Sequence, residues 1–216
     1  MLNEKLHLYI NGLIPERNPL FMEMEQFAQL HGIPIMELAG IETMLQLLRI
    51  QQAKNILEIG TAIGYSALRM AETLPNARIV TIERDIERIG QAREFIQRSK
   101  HSQQISLIEG DALEVEQEIS GHAPFDAIFI DAAKGQYKKF FQLYAKYLNK
   151  DGLMITDNVL FKGLVAEPKI ENKRTRNLVK KIAEFNRWLM NHPDYDSVIL
   201  PVGDGVTVSK RRGERN

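Results

Sequence analysis

The chain has 216 residues, 44% of them hydrophobic, with 28 Lys and Arg balanced by 28 Asp and Glu, and no cysteine. That length suffices for one domain with a full core, while zero formal charge supplies no global field for drawing in nucleic acid or acidic membranes. The missing cysteine excludes disulfides, thiolate metal sites and a cysteine nucleophile, and it fits a reducing cytoplasm.

In chain order, the polar mixture from Met1 to Gly12 gives no sign of a cleavable leader, and no apolar run is long enough to span a bilayer. Apolar residues at helical spacing then predict helices over Pro19 to Gln29 and Pro34 to Ile50. These make an N-terminal helical cap over residues 1–50, with an α/β core over 51–216 completing a single domain. Five runs follow, "NILEIG", "ARIVTIE", "ISLIEG", "FDAIFID" and "GLMITDN". They are too continuously apolar for a half-exposed sheet and read as parallel strands covered on both faces. Amphipathic stretches near Tyr65 to Thr73, Ile86 to Arg98, Ala112 to Ile119 and Tyr137 to Leu148 supply the crossover helices, and a long helix covers Lys173 to Met190. The closing stretch "YDSVILPVGDGVTVSK" predicts two strands around Gly203-Asp204-Gly205, an antiparallel hairpin that completes a mostly parallel seven-stranded sheet. Lys210-Arg211-Arg212 reads as a solvated basic tail. No repeat, low-complexity tract or domain linker interrupts this order.

Carboxylates close the apolar runs: Glu58, Glu83, Asp131, and Asp157 followed by Asn158. Strand ends of this kind are where open α/β sheets place ligand chemistry. The first two suit a cofactor with ribose hydroxyls and a charged amino-acid tail, and the last three offer the hard oxygens that a divalent cation prefers. "EIGTAIGYSA" contains Gly60 and Gly64 but not G-x-G-x-x-G, which disfavours a hydride-transfer enzyme. Gly60 can leave the strand in a tight turn, Gly64 lets backbone approach a ligand, and Ser66 can donate a hydrogen bond there. A plain strand-to-helix turn is the alternative. Glu83 has the placement of a ribose-binding acid. Asp111 with Ala112 flanks an adenine ring, or Asp111 caps a helix.

Taken together, "ILEIGTAIGYSA", "VTIERD", "IEGDALE", "FDAIFIDAAKGQY", "GLMITDNVLFKG" and "LPVGDGVTVSK" resemble, in order, the motifs of the divalent-cation-dependent class I O-methyltransferases that use S-adenosylmethionine (SAM). Catechol and caffeoyl-CoA O-methyltransferases belong to that family. The resemblance runs from about Ile35 to Lys210 and implies a Rossmann-like fold. Through "HGIPIMELAGIETMLQLL" and its length, the chain is most similar to the tRNA 5-hydroxyuridine methyltransferases, which make 5-methoxyuridine at the wobble position. The resemblance implies that Met36, Ser66, Glu83, Asp111, Ala112 and Asp131 contact SAM, and that Asp131, Asp157 and Asn158 hold Mg2+. It also implies a homodimer, for which the N-terminal helices are a plausible contact surface.

Physical chemistry bears on these expectations. Two carboxylates at the ends of adjacent strands repel unless a cation or protons intervene. With the Asn158 carbonyl they leave about three octahedral positions around Mg2+ for water and substrate. Lys134 could be a solvated loop lysine, yet it matches the family's position for substrate deprotonation, which assigns it the catalytic role. Vicinal O5 and O4 let 5-hydroxyuridine chelate as a catechol does. Lys134, Lys138 and Lys139, with Lys173, Arg174 and Arg176, either meet tRNA phosphates or form solvated faces. Two rivals remain: a methyltransferase of small catechols or acyl-CoA esters, and a noncatalytic SAM-binding module, which would lack the three metal-ligand candidates present here.

Overall fold

The computed structural model describes residues 4–213. It opens with three helices, α1 (Glu4–Leu13), α2 (Pro19–His31) and α3 (Leu38–Gln51). The apolar spacing does not announce α1, because Leu8, Tyr9 and Leu13 face solvent. Asn18 caps α2 by accepting the Phe21 N–H at 3.2 Å, Pro19 opens it, and Gly32 at φ 61° ends it. Helix α3 begins four residues later than the periodicity predicts. After the left-handed Gly32 the chain runs through Pro34 without forming a helix, and Glu37, with φ −62° and ψ 147°, is still extended. Met36 is thereby buried in a connecting segment.

The sheet comprises β1 (Asn55–Ile59), β2 (Arg78–Glu83), β3 (Ile105–Glu109), β4 (Phe125–Ile130), β5 (Leu148–Thr156), β6 (Tyr195–Leu200) and β7 (Val206–Arg211). Their spatial order is β3-β2-β1-β4-β5-β7-β6, parallel through β5 and antiparallel at β7 and β6. This is the expected Rossmann-like methyltransferase arrangement. The helices between strands are α4 (Tyr65–Thr73), α5 (Ile86–Arg98), α6 (Glu116–Ser120), α7 (Tyr137–Tyr144) and α8 (Lys173–Met190).

Alternation along β1 shows why the apolar runs are continuous. Ile56 joins a core shared with α3 and α4, while Leu57 and Ile59 join the opposite core, with Phe141 of α7 and Phe185 of α8. The expectation of burial on both faces fails for β3, which lies at the sheet edge and is only half covered. The helix predicted from Ala112 shrinks to α6. Asp111 holds the Leu113 N–H with its carboxylate at 2.9 Å, and its carbonyl takes the N–H groups of Glu114 and Val115, so a turn occupies the first residues. Helix α7 stops at Tyr144, and one 3-10 turn, Ala145–Tyr147, leads directly into β5.

The basic tail is not a solvated appendage either. Arg211 is in β7, where its guanidinium donates to the Tyr195 hydroxyl and the Ala145 carbonyl, and Arg212 pairs with Asp196 at 2.8 Å. No helix among the described residues is long and apolar enough to cross a membrane.

Candidate active site

Strands β1, β2 and β3 advance toward one edge, and the chain then returns to place β4 on the other side of β1. A crevice opens at the carboxyl ends of strands beside such a reversal. Here it is a cavity of about 410 Å³, in the range of small-molecule sites. Met36, Gly60, Glu83, Asp111, Ala112, Asp131, Lys134, Asp157 and Asn158, all singled out in the sequence, line it together. Two others do not. Glu58 is fully buried on β1, and the Ser66 hydroxyl donates to it instead of facing the cavity. Arg84 and Phe140 line the cavity without having been anticipated, although Arg84 directly follows the strand-end Glu83.

Gly60 has φ 104°, and a Cβ there would collide with the Asp131 carbonyl oxygen. Only glycine lets the ends of β1 and β4 approach this closely. The Glu83 carboxylate is fixed by three backbone N–H groups, from Ala62 and Arg84 at 2.9 Å and Asp85 at 3.0 Å. Two oxygens with about four lone-pair sites leave capacity for a ligand hydroxyl. At the far end Arg84 pairs with Asp111 at 2.8 Å. The Leu113 N–H, and then Arg84, hold the Asp111 carboxyl below its usual range.

Asp131 and Asp157 follow the adjacent strands β4 and β5, whose ends pair Ile130 with Thr156. Burial pushes both carboxyls above their ordinary range. For Asp157 the charge of Asp131 adds to the effect, whereas Lys134 opposes it at Asp131. Asn158, at φ 57°, donates to Asp157 Oδ2 at 3.0 Å and accepts from the Lys134 ammonium through Oδ1. The Tyr137 hydroxyl donates to the Asp157 carbonyl at 2.9 Å and fixes the turn from below. Two mutually repelling carboxylates, Asp157 buried and Asp131 half-buried, beside an amide oxygen form a hard-oxygen set that fits a divalent cation. Mg2+ in particular uses one or two carboxylates and completes its shell with water and substrate. No cluster of three His, Cys, Asp or Glu residues suited to a metal occurs among the described residues, and beside the two carboxylates the Asn158 amide is a candidate third oxygen.

The basic residues divide. Lys173 and Arg174 line a second cavity of about 580 Å³ with Gly135 and Lys181. Arg176, expected beside them, instead donates to the Ile170 carbonyl at 3.0 Å, and Lys138 lies 5.1 Å from the Trp188 ring centroid. Lys181, eight residues after Lys173 on α8, takes the place intended for Arg176.

The chain matches the family model described as O-methyltransferase over residues 15–212. It is 33% identical to a catechol O-methyltransferase of Niastella koreensis, over 91% of this chain and 90% of that one. A solved Staphylococcus aureus structure, provisionally named a caffeoyl-CoA O-methyltransferase, has 36% identity and a TM-score of 0.92, covering 97% of this chain and all of that one. A Bacillus cereus O-methyltransferase solved with S-adenosylhomocysteine has 27% identity and a TM-score of 0.81, covering 96% and 97%.

Proposed function

As this chain belongs to the O-methyltransferase family, we propose that it methylates one hydroxyl of a vicinal oxygen pair with SAM and Mg2+, and that its acceptor is 5-hydroxyuridine in tRNA. The family assignment carries the coarser activity, SAM-dependent O-methyl transfer of the catechol and caffeoyl-CoA type. The acceptor is our reading.

SAM would supply an electrophilic sulfonium methyl, with its ribose hydroxyls at Glu83, its adenine beside Asp111 and Ala112, and a further contact at Met36. A divalent cation at Asp131, Asp157 and Asn158 would supply Lewis acidity that lowers the pKa of the acceptor hydroxyl. The chain's own residues do the rest. Asp131 and Asp157 fix where the acceptor oxygens sit, Lys134 takes or directs the hydroxyl proton, and the rigid strand ends align nucleophile and methyl. Such alignment supplies much of the acceleration without a covalent enzyme intermediate.

The observation that carries the RNA reading is the basic groove. Lys173, Arg174 and Lys181 converge beside Gly135, the neighbour of Lys134, and no carboxylate is among the lining residues. A phosphodiester backbone fits such a surface, and an uncharged catechol has no use for it. The relatives' names favour a second reading, a small catechol or an acyl-CoA ester, and CoA phosphates could also enter the groove. Nucleoside mass spectrometry of hydroxyuridine-containing tRNA, beside parallel assays on catechol and caffeoyl-CoA, separates them. New 5-methoxyuridine supports the RNA reading, and turnover of the small acceptors alone refutes it. We further read the enzyme as a cytoplasmic single-domain protein that pairs through exposed Leu8, Tyr9 and Leu13 of α1, which light scattering of wild type against Leu8→Glu checks.

A further inference from the structure

Glu58 is fully buried, yet its hydrogen-bond partners are hydroxyls only: Ser66 bonds one oxygen and Thr81 the other, and Thr61 extends the chain to Thr81 at 2.6 Å. Among the described residues no cation pairs with it. From β2 and β4 the charges it meets are those of Glu83 and Asp131, both negative and both lining the cavity. The one cation of α4 is Arg69, whose guanidinium is engaged by Tyr65 and by Glu42 of α3. A buried anion facing further anions is costly, and hydroxyl donors offset only part of that cost.

We propose that Glu58 is a proton-linked positioning residue: it carries a proton in the cofactor-free protein and releases it to solvent when a cationic cofactor fills the cavity. The inference rests on the reading of SAM as cofactor. The cavity charges that disfavour ionised Glu58 are joined on binding by a sulfonium and an α-ammonium, which favour it through the same medium. Once ionised, Glu58 can only accept hydrogen bonds, and this fixes the Ser66 and Thr81 hydroxyls in one orientation. S-adenosylhomocysteine has lost the sulfonium charge and retains Glu58 ionisation less well. Proton uptake therefore favours release of the product.

The sign follows from burial, which raises free Glu58 to about 8. Below that pH the free protein holds the proton and the SAM complex does not, so SAM affinity rises with pH, by up to about tenfold per pH unit, and levels off above it. Titration calorimetry at pH 7 and saturating Mg2+, in two buffers of different ionisation enthalpy, counts the protons released. Wild type should release a substantial fraction of a proton with SAM and less with S-adenosylhomocysteine. Glu58→Gln should lose that release and show a smaller preference for SAM. Infrared spectra of wild type carrying 13C-labelled glutamate give an independent readout, even if the variant does not fold. A protonated glutamate carboxyl band should be present without cofactor and disappear on SAM binding. SAM binding without proton release, release undiminished in Glu58→Gln, or absence of the infrared band would each overturn the inference alone. Failure of SAM to bind would remove the cofactor reading with it.

Discussion

Lys134 donates to the Oδ1 of Asn158, tying the segment after β4 to the segment after β5 across 24 residues of chain. One contact therefore joins the candidate proton-transfer group to a candidate metal ligand. Lys134→Ala should lower kcat by about 10²- to 10⁴-fold, the usual contribution of a positioned acid or base, with SAM affinity nearly unchanged. Steady-state kinetics beside calorimetric SAM titration checks the split. Comparable losses in both would mean that the lysine holds the site together rather than taking part in transfer.

Asp157 offers a test of the metal that does not depend on turnover. A ligand that binds only the folded state stabilises it by about 2.7 kcal/mol at a hundredfold excess over Kd. Mg2+ should accordingly raise the melting temperature of wild type and have little effect on Asp157→Ala, which should also lose activity while retaining SAM. Chelator-insensitive turnover by Asp157→Ala would eliminate the metal mechanism.

At Glu83 the expected loss is the same for substrate and product forms of the cofactor, because a ribose clamp does not sense the methyl group. Glu83→Ala should weaken both by roughly ten- to a hundredfold, as removing charge-assisted hydrogen bonds costs about 1.5–3 kcal/mol. The backbone N–H groups of Ala62, Arg84 and Asp85 would lose their acceptor too, so the upper part of that range is expected. Equal calorimetric affinities in wild type and variant would take Glu83 out of the site.

The groove yields a comparison between substrates. Reversing charge at Lys173, Arg174 and Lys181 should weaken tRNA binding and flatten its salt dependence by about one unit of slope per lost phosphate contact, leaving catechol turnover intact. A salt series on both acceptors measures this. Parallel losses on both would indicate damage to the pocket, and no loss on either would make the groove a solvated helix face.

Stability should fall with rising pH in the absence of ligands. Glu58 is raised to about 8 in the folded protein from an ordinary 4.5, so the folded state binds the proton more tightly than the unfolded chain. The resulting stabilisation is fully present below about 4.5 and is lost as pH rises toward 8. Melting temperatures between pH 5 and 8.5 should decline, and Glu58→Gln should reduce the slope. A flat profile in wild type would contradict a neutral, buried Glu58.

Much of the molecule is set by local pattern. Short apolar runs between turns define β1, β2, β4 and the second half of β5, and helical spacing gives α4, α5 and α8 their observed ends. The strand-end positions of Glu83, Asp131, Asp157 and Asn158 follow from those runs. Their meeting in one cavity follows from a parallel sheet, which gathers all its carboxyl ends on one side.

What the sequence by itself determined is therefore the order of strands and most of the helices after α1, and the chemical character of each strand end. Only the tertiary structure decided which side chains spend their hydrogen bonds on the protein. Ser66 satisfies Glu58, Arg176 satisfies carbonyls before α8, and Asp111 converts the first turns of a predicted helix into a tight turn. It also decided that β3 is an edge strand and that Lys181 joins Lys173 at the groove. The physical reason is range. Periodicity and turn chemistry act within a few residues, whereas the partner of a polar group is set by what packing brings beside it, and a buried donor or acceptor takes the partner it finds there.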